Sequence, residues 1–160
     1  MLEVSNIKVS DISDIIDIAL LVVTALGIIF AGIQMRQTTK INRANLVKEL
    51  YFTLYNDKEL RKIFYKIEWS SYDNSEWKKL DEEEEQCVDK LLTFFDIVCN
   101  MYGRKVLIKQ DMDIFSYEMR RVYEHPAIQE YLTFLSNWQR KRGLGENYIS
   151  YKKYCRNSYK

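Results

Sequence analysis

From Ile15 to Met35, only Asp17, Thr24 and Gln34 interrupt twenty-one otherwise apolar or small residues, in a chain where 29% of the residues are charged. Coiled as an α-helix at about 1.5 Å per residue, the run covers roughly 30 Å, the hydrocarbon thickness of a bilayer. A core helix of a soluble protein can also be apolar all round, so the flanks decide between the two. Before the run or at its start stand Glu3, Asp11, Asp14 and Asp17 with only Lys8 as a cation; after it, Arg36, Lys40, Arg43 and Lys48 precede the first acid, Glu49. Cations gather on the cytoplasmic side of a span. That orients residues 1–12 outward as a short extracytoplasmic segment, sets residues 13–35 across the membrane and leaves the rest in the cytoplasm. A basic leader region and a small-residue cleavage motif are both lacking, so the span is expected to stay attached.

The polar residues of the run are not scattered. Asp17, Leu20, Thr24, Gly27, Ala31, Gln34, Thr38 and Ile41 recur at alternating intervals of three and four and form one seam, whereas Leu21, Val22, Ile28, Ile29, Phe30 and Ile33 lie largely off it. An acid at the membrane is costly unless it faces water or a partner. In a homo-oligomer with the seam turned inward, one Asp17 per subunit becomes a ring that concentrates cations and rejects anions. Thr24 supplies hydroxyls midway, Gly27 and Ala31 permit close helix approach, Gln34 and Thr38 line the inner mouth, and Leu20 or Ile41 narrows the lumen as a gate. The plainer reading is a single-pass anchor whose Asp17 sits at the headgroups and whose small residues pack a dimer. Spacing alone leaves both open.

Beyond the span lie about 125 of the 160 residues, enough for one small domain with its own core. Five Gly and one Pro, with apolar residues at helical spacing, point to an all-α fold: an N-terminal transmembrane helix continuing into a stem, plus a cytoplasmic helical bundle. With no Gly or Pro between Gly32 and Gly103, the first helix is expected to run on over residues 36–55, keeping Ile41, Ala44, Val47, Leu50 and Leu54 on an apolar face. The bundle then occupies residues 56–143. Asn56 and Glu59 read as the capping box of a second helix with Leu60, Ile63, Phe64 and Ile67 inside, and Trp69 to Trp77 reads as a loop. Asp81 to Glu85 crowd the positive end of a third helix whose face is Leu91, Leu92, Phe95, Val98 and Tyr102, stopped by Gly103. A linker from Arg104 to Gln110 leads to Asp111, the cap of a helix carrying Ile114, Phe115, Met119 and Val122 and stopped at His125-Pro126. Pro126 opens a last long helix with Ile128, Tyr131, Leu132, Leu135 and Trp138, ending near Gly143 and Gly145. Residues 144–160 read as a basic, Tyr-rich tail.

Chemistry has few places to sit. His125 is the only histidine and stands at a helix boundary, which excludes a His-rich metal site. Cys87 and Cys99 point about 120° apart on one helix, and with Cys155 they are expected to be free thiols in a reducing compartment. Phosphate-binding, dinucleotide-binding and nucleophile-elbow motifs do not occur. The run Asp81 to Glu85 fans around its helix and suits a solvated helix start better than a cation site. No catalytic residue, metal or cofactor is expected, and the chain does not read as an enzyme. One set of residues does suggest a ligand: Arg120, Arg121, Arg140, Lys141, Arg142, Lys152 and Lys153 with Tyr148 and Tyr151. Cations with stacking aromatics hold a single-stranded oligonucleotide or a nucleotide messenger, the cations taking phosphates and the rings taking bases. A solvated helix end or a polybasic patch beside anionic lipid reads from the same residues.

Three stretches carry a family likeness. Arg43-Ala44-Asn45-Leu46 after the span, Asn56-Asp57-Lys58-Glu59-Leu60-Arg61 at the second helix and Phe94-Phe95-Asp96-Ile97-Val98 ahead of Gly103 resemble small bacterial single-pass membrane proteins with a cytoplasmic helical domain. The likeness covers about residues 15 to 138 and extends to the channel-forming effector subunit of the Hailong anti-phage defence system. It implies a bacterial inner-membrane location, a role in phage defence and a partner enzyme that makes an oligonucleotide ligand; it assigns no pore residue. Together these point to a homo-oligomeric, ligand-gated ion channel, a tetramer by channel precedent, whose opening depolarises the cell. The alternative is a membrane-tethered helical interaction module without a pore.

Overall fold

Helix α1 (Val9–Asn56) takes up both the apolar run and the stem. The structure, a computed structural model, describes the backbone of residues 9–72 and 80–159, with side chains from 16 to 70 and from 80 to 159. The first eight residues of the N-terminal segment and most of the expected loop, Asp73 to Trp77 included, lie outside the described residues. All elements among the described residues are helical: α1 is followed by α2 (Lys58–Tyr72), α3 (Glu82–Gly103), α4 (Lys109–Asp113), α5 (Ser116–Glu124), α6 (Pro126–Lys141) and α7 (Ile149–Ser158). The chain divides into two units, residues 1–44 and 45–160.

In the first unit every side chain from Ile16 to Asn42 is exposed. Among the described residues, this stretch of α1 belongs to the one helix long and apolar enough to cross a membrane. Apolar side chains such as Leu21 (71% exposed) and Ile28 (69%) have no protein against them, and an apolar surface of that extent is stable only against lipid or another protein.

The second unit is built on α3. Its Val88, Leu91, Leu92, Phe95 and Val98 are completely enclosed, and α2 and α7 pack on it, while α5 joins α2, α6 and α7. The last part of α1 enters this core through Val47 and Leu54, with Leu46 and Leu50 half-buried beside them. Tyr55 near its end donates to the buried carboxylate of Glu118 in α5. Burial and that carboxylate together push the phenol pKa up, so Tyr55 stays a donor.

Local chemistry moves several boundaries from where the sequence places them. Asp57, not Asn56, caps α2: its carboxylate accepts the N–H groups of Glu59 (2.9 Å) and Leu60 (3.1 Å), while Asn56 still belongs to α1. Lys90 holds the same carboxylate at 2.7 Å, and these bonds keep the Asp57 pKa below its usual 3.8. Helix α2 runs through Trp69, Ser70 and Ser71, which read as loop, because the Ser70 hydroxyl folds back onto the Ile67 carbonyl (2.9 Å) and meets His125 Nε2 (2.8 Å). Asp81 and Glu84 form a reciprocal capping box at the start of α3, as a solvated helix start requires.

Gly103 stays inside the last turn of α3, and the chain turns on Lys105 instead, at φ 62°. The amides of Lys105 and Val106 close a Schellman motif on the carbonyls of Tyr102 (2.9 Å) and Met101 (3.0 Å). Asp111 is not a cap but the third residue of α4, reaching back to the Ile108 amide (2.8 Å). The single helix expected there is two, α4 and α5, divided at Ile114-Phe115, where Phe115 is fully enclosed and Ile114 is exposed. His125 stands at the α5–α6 boundary, as its place before Pro126 predicts. Gly143 ends α6 at φ 65°, its amide on the Arg140 carbonyl (3.3 Å) and that of Leu144 on Gln139 (3.0 Å).

The largest departure is the tail. Residues 149–158 form α7, and its Tyr151 and Cys155 are completely enclosed in the core. Tyr151 stacks on Phe95 (centroids 5.6 Å, planes 22° apart) and meets the edge of Tyr123 (6.0 Å). A pair of this kind adds about 1 kcal/mol beyond the area it buries. Helix α7 has no capping side chain of its own, and the Asp96 carboxylate of α3 takes the Tyr151 amide instead (2.9 Å).

Candidate functional site

Two groups of residues are candidates for a functional role, one in each unit. In the first unit Asp17, Leu20, Thr24, Gly27, Ala31, Gln34, Thr38 and Ile41 are all exposed. Thr24 donates its hydroxyl to the Leu20 carbonyl (2.8 Å), which satisfies the proton inside the helix and leaves the oxygen's lone pairs outward as acceptors. A methyl group added at Gly27 would meet nothing within 4 Å, so nothing within the chain calls for a glycine there, although one in a helix costs about 1 kcal/mol against alanine. In membrane helices such smallness serves a neighbouring helix. Gly32, off the seam, has equally open surroundings.

The cationic set of the second unit does not gather in one place. Arg140 and Lys152 line a groove of about 240 Å³ between α6 and α7, together with Tyr123, Gln129, Thr133 and Arg156. Lys152 is 8% exposed and reaches Glu146 across the groove mouth (3.2 Å). Arg120 and Arg121 line a separate shallow depression with Tyr117 and Glu124. There Arg120 pairs with Glu124 (2.8 Å) and lies over Tyr159, and Arg121 lies over Tyr117. Arg142 covers the Trp138 ring at 4.0 Å, and Lys141 is exposed. Lys153 faces the other side of α7, in a groove of about 430 Å³ with Arg104, Asn100, Tyr102 and Tyr154.

Of the two tyrosines of the set, Tyr151 is a correction. Tyr151 is completely enclosed and donates its hydroxyl to the Met119 carbonyl (2.8 Å), and burial pushes its pKa well up. Tyr148 is half-buried, sits at φ 55° and donates to Asp89 (2.7 Å), which also accepts from Tyr131 (2.8 Å). The Tyr151 ring has no face left for a base, and the core covers part of Tyr148. Arg156, by contrast, was missed, although its spacing of four from Lys152 places both on one side of a helix as soon as residues 149–158 are read as helical.

Other reactive groups are structural. Burial holds the Cys99 thiol pKa far up and pushes that of Cys155 up to about 12, so both stay protonated and unreactive. Burial lowers the pKa of His125, which keeps its imidazole neutral. Among the described residues no group of three or more His, Cys, Asp or Glu side chains is placed to hold a metal ion. No protein-family model, curated protein or solved structure matches this chain.

Proposed function

We propose that the protein is a homo-oligomeric ion channel of the bacterial inner membrane, with one pore helix per subunit and a cytoplasmic helical domain that senses a ligand or partner. The observation that carries this reading is the seam: an acid, hydroxyls, an amide and small residues repeat along one side of a helix that is otherwise suited to lipid. An anchor needs no such side, whereas copies around a wet axis do. The basic residues after Met35 orient the helix with its C-terminal end in the cytoplasm. The ligand reading rests on the α6–α7 groove, where Arg140, Lys152 and Arg156 offer charge to a phosphate-bearing molecule. The resemblance to Hailong effector subunits supplies the defence role and the partner enzyme that makes an oligonucleotide.

The energy required of such a ligand is modest, since a preference for one state of about 3 kcal/mol moves an open–closed equilibrium by over a hundredfold. Purified protein reconstituted in planar bilayers is expected to conduct, with cations favoured over anions, and Asp17→Asn to reduce that preference. A stable oligomer that never conducts, with or without oligonucleotide, points to the tethered interaction module instead. Conduction with unchanged selectivity in Asp17→Asn removes the acidic ring but not the pore.

A further inference from the structure

Between the last turn of α3 and one side of α7 lies a groove of about 430 Å³, a size suited to a small molecule. Helix α7 turns Tyr151 and Cys155 into the core, and its neighbouring side lines the groove with Ser150, Lys153, Tyr154 and Asn157, spaced by three and four. Across from them stand Asn100, Tyr102, Gly103 and Arg104. Asn100 donates to the Ser150 hydroxyl (3.5 Å), which keeps its own proton to give, and the Tyr102 and Tyr154 rings meet edge to face (centroids 5.7 Å). Arg104 and Lys153 are exposed and bring two positive charges, and among the described residues no acid lines the groove. Nor does either cation pair with a described acid elsewhere, unlike Arg120 with Glu124 and Lys152 with Glu146. Gly103 has neither a positive φ nor a neighbour within 4 Å of an added methyl group, so the fold itself does not call for a bare wall there.

We propose that this groove binds a small phosphate monoester, with Arg104 and Lys153 on the phosphate and Tyr102 and Tyr154 beside its organic group. A phosphate monoester carries nearly two negative charges at neutral pH, which two cations without acids of their own match. A single carboxylate leaves one of the two cations without a counter-charge. Arg104 offers a fork of N–H groups to the phosphate oxygens, and Ser150 and Asn157 add neutral donors. Free organic phosphates and the headgroup of phosphatidic acid share this chemistry. The groove lies on the side of α7 away from Lys152 and Arg156, so it is separate from the α6–α7 groove and does not rest on the channel reading.

Titration calorimetry of the full-length chain in phosphatidylcholine nanodiscs tests this, with phenyl phosphate as the probe. Phenyl phosphate is expected to bind saturably, and phenol not to bind. Arg104→Gln and Lys153→Gln are each expected to weaken binding about tenfold, as the loss of one charge-assisted hydrogen bond implies, with the melting temperature unchanged. Arg140→Gln, in the α6–α7 groove, is expected to leave binding unaltered. Absence of saturable binding, equal affinity for phenol, undiminished binding in the Arg104→Gln/Lys153→Gln double variant, or a loss confined to Arg140→Gln each overturns the site. Nanodiscs that contain phosphatidic acid separate the two sources: suppressed phenyl phosphate binding assigns the groove to the lipid headgroup, and unaltered binding assigns it to a free molecule.

Discussion

His125 shows how much one residue's surroundings decide. Its ring is 6% exposed, between α5 and α6, with Nε2 on the Ser70 hydroxyl, and burial holds its pKa below 6.5. The unfolded chain therefore binds a proton that the folded chain refuses. Stability is complete above about pH 6.5 and falls as the pH drops below it, by up to about 1.4 kcal/mol per unit. Asp57 acts in a lower window: its depressed carboxyl stabilises the fold above about 3.8 and ceases to do so below. Thermal melts between pH 7.5 and 5 are thus expected to fall by several degrees in the native chain and by much less in His125→Gln, whose amide can still reach Ser70. Equal slopes in both proteins would assign the loss to another group. The boundary position of His125 was legible from the proline that follows it. Its partner was not, because Ser70 stands in a stretch whose serines resemble a loop until the Ser70 hydroxyl is seen to bond back along a helix.

At the scale of elements, helices that carry their own caps and apolar faces could be read from the sequence, and α7 could not. Helix α3 announces itself with Asp81, Glu84 and an unbroken face from Val88 to Val98. Helix α7 has no cap of its own, carries Lys152, Lys153 and Arg156, and shows its inner face as Tyr148, Tyr151, Tyr154, Cys155 and Tyr159, residues that pass for a polar tail. That three-and-four spacing was the available signal. Its cap, Asp96, lies on another helix, where no local rule looks for it. Asp96→Ala is expected to cost about 1 kcal/mol and to raise hydrogen exchange selectively in the first turn of α7, at residues 150–152. Exchange that rises evenly through α3 and α7 would mean that the carboxylate supports packing rather than the helix end. The same pattern explains the candidate ligand set, since Tyr151 reads as a ring free to stack and the core uses it.

For the molecule as a whole, the apolar segment and the bundle divide cleanly in their chemistry. Core residues begin at Val47, while everything from Ile16 to Asn42 is exposed. A chain beginning at Asn45 is therefore expected to fold in water without detergent and to melt within a few degrees of the full-length protein. One beginning at Lys58 loses Val47 and Leu54 from the core and is expected to be several kcal/mol less stable, at about 2–5 kcal/mol per large apolar side chain removed. Failure of the longer fragment to fold would show that the span contributes to the bundle. The division was legible at the level of composition, because an apolar run and a charged remainder need no geometry to separate. How far the stem enters the core was not, since Val47 and Leu54 are spaced like the residues before them.

The aromatic stack of Tyr151 on Phe95 has a consequence for biosynthesis. Of the helices described, α7 emerges last from the ribosome, yet it plugs the middle of the bundle. Until then the face of α3 that receives it stays uncovered. A ribosome stalled before residue 149 leaves a product with an unsealed core, a substrate for proteolysis rather than a half-working copy.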